Sequence, residues 1–119
     1  MATWIGVALL GGVGTLARFL LDGAVSARVP RTFPWGTLAV NLSGALALGA
    51  LAGATASAGL LELAGTGFLG AFTTFSTWML ESHRLAEDGE LGAGAVNVAV
   101  SLALGIAMAW LGLTLGERL

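Results

Sequence analysis

Charged side chains divide this chain into four long apolar runs. Residues 1–17, 37–61, 63–80 and 91–116 contain no acid and no base, and about 20 mostly apolar residues suffice to carry a helix across ~30 Å of hydrocarbon. The pattern predicts an all-α integral membrane protein, with four transmembrane helices forming one domain over residues 1–119. Four crossings use nearly the whole chain and leave no extramembrane segment in which a soluble active site could be built. Pro30 and Pro34 break the helical pattern in the first connection, residues 22–35. The second connection, 57–62, is short enough to be a tight hairpin, and the third, 81–90, holds Glu81, Glu87, Asp88 and Glu90 and reads as a solvated turn. An even number of crossings returns both chain ends to one side.

Composition agrees with a lipid solvent. At 119 residues, with 56% hydrophobic and 10% charged side chains, the chain has too few polar groups to coat a soluble globule. The first run is read as a helix and not as a cleaved leader, because no base precedes it and Arg18 follows it. Cysteine is absent, so disulfides and thiolate metal sites are excluded. With a net charge of -2 and no basic patch, nothing predicts a nucleic-acid partner. Arg28, Arg31 and Arg84, with Arg18 near the edge, lie on the side of the first and third connections, against Arg118 on the other. Because arginine bias sets orientation, so small an excess makes insertion both ways up available, and with it antiparallel pairing of two copies. The alternative is a fixed orientation with the first connection inside.

Helices in lipid associate where small residues let backbones approach. Gly49 with Gly53, Gly53 with Ser57, and Ser101 with Gly105 have the four-residue spacing for this. Polar side chains within spans are costly unless they find partners or line a wet cavity. Thr37, Asn41 and Gly44 form one such stripe on the second span, and Asn97, Ser101 and Gly105 another on the fourth. Each Asn is either an interhelical clamp or a pore residue.

The third span reads GFLGAFTTFSTW over 67–78, with Thr73, Thr74, Ser76 and Thr77 at its middle. Hydroxyls bonded back to the preceding turn bend a helix, and an unwound backbone survives at membrane depth only where it is buried or lines a cavity. A broken third helix is expected, since such breaks present carbonyls to cations and amides to anions. Phe72, Phe75 and Trp78 recur at three-residue steps in the same segment. Aromatic rings have positive edges, so ring edges with hydroxyl and amide donors suit a dehydrated small anion that a basic side chain would hold too tightly.

Those segments carry a resemblance. GGVGTLARF at 11–19, GTLAVNLSGALALG at 36–49, GFLGAFTTFSTWMLES at 67–82 and NVAVSLALG at 97–105 together resemble the Fluc (CrcB) fluoride channels along almost the whole chain. The resemblance implies a fluoride-specific channel, not an enzyme, in a cell inner membrane or plasma membrane, exporting fluoride from the cytoplasm passively down its electrochemical gradient. It further implies an antiparallel, dual-topology homodimer with a structural Na+ at the interface, held by the backbone carbonyls of Gly70 and Thr73 of both subunits. By matching positions, Asn41, Phe75, Ser76, Thr77, Trp78 and Ser101 would lie on the fluoride pathway. Arg18 would stand at a vestibule or simply snorkel to the headgroups. Trp78 replaces the family's usual Phe, adding bulk and an N–H donor. That departure keeps open a heterodimer in which this chain is the drifted paralogue.

Three rival readings fit the sequence less well. A small multidrug exporter needs a membrane-embedded carboxylate, whereas Glu62 and Glu81 fall at expected helix ends. A helix-packing partner of a larger complex would explain the glycines and both Asn residues but not TTFST beside aromatic rings. An enzyme would need more than His83, the only histidine, which has no nucleophile or ligand cluster around it.

Overall fold

The computed structural model describes residues 1–119. Helix α1 spans Ala2–Ser26, α2 Trp35–Gly53, α3 residues 58–72, α4 Ser76–Glu87 and α5 Leu91–Gly116. Four segments, with α3 and α4 together forming the third, are long and apolar enough to cross a membrane. At 1.5 Å per residue, α1 and α5 reach roughly 37–39 Å, longer than the ~30 Å hydrocarbon layer, so their ends enter the headgroups. Only 18 of 119 residues are buried, which fits a chain whose apolar side chains face lipid. Trp4 and Trp110 face outward near the start of α1 and towards the end of α5. Trp35, packed on Phe33 with ring centroids 4.8 Å apart, marks the opposite face, where tryptophan favours the headgroup level.

The connections are shorter than the charge pattern predicts. Helix α1 runs on through Arg18 and Asp22 to Ser26. In the second connection Ser57 Oγ accepts the Leu60 N–H at 3.3 Å, a capping bond that starts α3 at Ala58. The hairpin is therefore residues 54–57, and Glu62 lies inside the helix. At the third connection, the expected solvated turn is mostly helix, because α4 continues to Glu87. Glu90 N–H bonds the Leu85 carbonyl at 2.8 Å and Gly89 N–H bonds Ala86 at 3.2 Å, with Gly89 at φ 82°. This left-handed glycine closure terminates α4 and leaves a turn of three residues, 88–90.

Close backbone approach holds the helices together. Helix α2 makes its most extensive contact with α5. A Cβ on Gly49 would strike the Ala109 carbonyl and one on Gly53 the Leu113 carbonyl, while Gly112 and Gly116 abut the carbonyls of Leu46 and Ala50 in return. The partners of Gly49 and Gly53 are thus Gly112 and Gly116; the expected pair Ser101 and Gly105 does not pack here, since nothing approaches Gly105 within 4 Å. Gly112→Val would set a side chain against backbone atoms that cannot rotate away. Overpacking costs typically 1–3 kcal/mol. We expect a drop of about 3 kcal/mol, seen as a lowered thermal midpoint in detergent; an unchanged midpoint would show that the two helices can separate freely.

The third span is irregular twice. Residues Leu61–Leu69 form wide turns with i→i+5 hydrogen bonds, ending where Gly70 N–H bonds the Gly65 carbonyl, a rare geometry common near functional sites. Helicity then stops at Phe72, because Thr73 is extended at φ -79°, ψ 158°, and resumes at Ser76. The expected break is present and sits at residues 73–75. It also splits the aromatic stripe: Phe72 is buried with Val40 and Leu69 and stacks on Phe68 at 5.8 Å, whereas Phe75 and Trp78 form a separate pair.

Candidate ion pathway

A break at membrane depth leaves backbone groups without helical partners, and each must be satisfied by protein. Asn41 on α2 does this for Thr74: its Oδ1 accepts the Thr74 N–H at 2.8 Å and its Nδ2 donates to the Thr74 carbonyl at 2.9 Å. With that N–H turned away, the Gly70 carbonyl has lost its i+4 donor. Arg18 Nη1 donates to the Thr73 carbonyl at 3.4 Å, so the guanidinium reaches the break. Thr74 Oγ1 accepts the Thr77 N–H at 3.2 Å and donates to Thr77 Oγ1 at 3.1 Å, with Ser76 Oγ at 3.5 Å. Since Thr77 Oγ1 is an acceptor there, its own hydrogen remains free to donate, as does the second amide hydrogen of Asn41.

The break stands where two cavities meet. On one side is an open groove of about 450 Å³ bounded by α2, α3, α4 and α5, lined by Asn41, Gly70, Thr73, Phe75, Trp78 and Ser101 among others, none of them charged. On the other is a cavity of about 210 Å³ holding Arg18, Thr15, Thr37 and Thr77. Thr74 lines both. Phe19 and Asp22 connect the smaller cavity to a third, of about 450 Å³, at the membrane face bearing Arg31, Arg84 and Glu81. Three spaces that share lining residues thus run from a charged mouth, past Arg18 and Asp22, to an uncharged groove.

Within the groove Phe75 is 70% exposed, and its ring meets Trp78 edge to face, with centroids 5.6 Å apart at 85°. The expected pathway residues are therefore assembled around one break: Asn41, Phe75, Trp78 and Ser101 in the groove, Thr77 in the smaller cavity, and Ser76 beside Thr74. One expectation is corrected. The Trp78 indole N–H is not a free donor, because it bonds the Asn97 carbonyl at 3.2 Å. Ser101 likewise donates its hydrogen to Asn97 Oδ1 at 3.2 Å and offers the groove only oxygen lone pairs.

Glu81 is a second correction. It lies inside α4, not at a helix end, and accepts a hydrogen bond from the Thr37 hydroxyl of α2. The cue was its distance from the true helix end at Glu87, hidden because acids at 81, 87, 88 and 90 look like one loop. Even so, this carboxylate lines the outer mouth and not the aromatic groove, so a carboxylate-driven drug exporter has no acid where its cargo would sit.

Fold and site define a small multi-pass membrane protein built around an interrupted helix and an uncharged groove. The family model for "CrcB-like protein, Camphor Resistance (CrcB)" matches residues 5–113. A protein named fluoride-specific ion channel FluC 2 from Mycolicibacterium paratuberculosis is 55% identical over 117 residues, covering 98% of this chain and 96% of its own length. The protein named fluoride-specific ion channel FluC 1 of Symbiobacterium thermophilum is 45% identical over 96% of this chain and 97% of its own. That named fluoride-specific ion channel FluC of Geobacter sulfurreducens is 44% identical over the full length of both. The chain belongs to the CrcB family.

Proposed function

We propose that this protein is a fluoride-specific channel, passing the ion from the cytoplasm across the inner or plasma membrane down its electrochemical gradient without covalent chemistry. The observation that carries the reading is the helix break at Thr73–Phe75, whose neutral donors open onto a groove without formal charge. A small anion entering past Arg18 exchanges water for the free Thr77 hydroxyl, the Asn41 amide hydrogen and the positive edge of the Phe75 ring. Neutral donors can hold the ion closely enough to replace its hydration and loosely enough to release it. Chloride, larger and less demanding of short hydrogen bonds, gains less from the same groups. The names of the relatives support the choice of fluoride.

A second copy completes the path in this reading. The groove is open along its length and leaves Phe75 exposed, so one chain does not enclose it. An antiparallel homodimer would cover the groove of each subunit and fits so small an arginine excess on one side. Residues here also bear on a structural Na+: Gly70 and Thr73 both line the groove, the Gly70 carbonyl lacks its helical donor, and unwound carbonyls are the usual protein ligands for such an ion, while the Thr73 carbonyl would have to release Arg18 Nη1 to join them. The ion's contribution would be to tie the two breaks together. Fluoride efflux from liposomes carrying the purified protein, followed with an ion-selective electrode, tests the function. Efflux well above that of empty vesicles is expected, and a rate equal to theirs would refute a homodimeric channel.

A further inference from the structure

Trp78 is joined to α5 by more than packing. Its indole N–H bonds the Asn97 carbonyl at 3.2 Å, and Asn97 is itself only 1% exposed. The Asn97 side chain is fixed at both ends, because Nδ2 donates to Ser82 Oγ at 2.8 Å and Oδ1 accepts from Ser101 Oγ at 3.2 Å. Ser82 Oγ in turn donates to the Trp78 carbonyl at 2.8 Å. The network closes on itself, so every member restrains the indole. Helix α5 already packs closely on α4 here, since a Cβ on Gly94 would lie 2.8 Å from the Ser82 carbonyl. The indole is thus tied to α5 through its N–H, meets Phe75 edge to face and lines the groove.

A Phe at this position has no such bond and turns on its own torsion. The indole turns only by breaking its N–H bond, at the cost of one neutral hydrogen bond. Resting on the channel reading above, we propose that Trp78 is a specificity-determining positioning residue: anchored through its indole N–H to Asn97, it fixes the width of the groove beside Phe75 and Ser101 and excludes anions larger than fluoride. The bulk of the indole narrows the passage, and the anchor prevents the passage from widening. The N–H itself never touches the ion.

The decisive substitution removes the N–H and keeps the shape: Trp78→3-benzothienylalanine, in which sulfur replaces the nitrogen, with Trp78→Phe as the smaller companion. Both are reconstituted in liposomes, and chloride and fluoride efflux are measured against the unaltered protein. The chloride-to-fluoride flux ratio is expected to rise about threefold to tenfold in the isostere, the range that losing one neutral hydrogen bond corresponds to, and at least as much in Trp78→Phe. Independently of transport, ultraviolet resonance Raman spectra of a protein carrying Trp4→Phe, Trp35→Phe and Trp110→Phe report Trp78 alone and should show a hydrogen-bonded indole N–H. An unchanged ratio in the isostere, or the spectrum of a free N–H, overturns the proposal while leaving the channel reading intact. Absence of fluoride flux from the unaltered protein overturns both. If the isostere fails to assemble, the spectrum and Trp78→Phe still decide.

Discussion

Phe75→Ile is expected to reduce fluoride efflux to the rate of empty vesicles while the protein stays assembled. The two halves of this expectation have separate causes. Phe75 is 70% exposed in the chain, so its ring contributes no core packing, and the edge-to-face contact with Trp78 that disappears is worth only about 0.5–1.5 kcal/mol. Isoleucine is β-branched and apolar but has no quadrupole, hence no positive edge to present to an anion. The ion then crosses the uncharged groove with fewer compensating contacts. A barrier raised by about 3 kcal/mol lowers the rate roughly a hundredfold, at about 1.4 kcal/mol per tenfold. Ion-electrode efflux and size-exclusion elution from the same preparation make the check. Unchanged flux would remove the ring from the mechanism, and lost flux with altered elution would assign it to assembly.

The sequence made the four spans and the break legible for one reason: in lipid, polarity within a span is conspicuous. Thr73, Thr74, Ser76 and Thr77 could not all sit on a straight lipid-facing helix, and the chain does unwind among them. The helix ends were less legible. Charge does not mark the ends of the spans, for α1 continues beyond Arg18 to Ser26 and α4 beyond Glu81 to Glu87, because Arg18 finds the Thr73 carbonyl and Glu81 the Thr37 hydroxyl within the protein. The glycine contacts divided in the same way. Gly49 and Gly53 announce a close-packing face, and Gly112 and Gly116 carry the same four-residue spacing, but that these two and not Ser101 and Gly105 are the partners follows from the crossing of α2 and α5. Least legible were hydrogen-bond directions. That Trp78 gives its N–H to a backbone carbonyl, and that Ser101 faces the groove as an acceptor, are facts about neighbours brought together by the fold.

Asn41 shows how a single side chain can determine whether the break exists. Its carboxamide reproduces the pattern of a peptide neighbour, accepting the Thr74 N–H and donating to the Thr74 carbonyl, and Thr74 is only 9% exposed. Asn41→Leu keeps the branched shape and removes both bonds. With the break open, two buried backbone groups are stranded, at about 1–3 kcal/mol each, a loss of roughly 2–6 kcal/mol. One escape lowers that cost: the Thr74 N–H can return to the Gly70 carbonyl and rebuild the helix through the gap. This straightening would carry Phe75 out of register with Trp78 and withdraw the carbonyl proposed for Na+. Fluoride flux is therefore expected to vanish by either route, with the thermal midpoint in detergent falling if the break persists and falling less if it closes. Asn41→Gln, which keeps the carboxamide on a longer stem, should recover part of both quantities. Native flux together with a native midpoint in Asn41→Leu is the one combination this account forbids, because it would mean that the interrupted backbone needs no partner from α2.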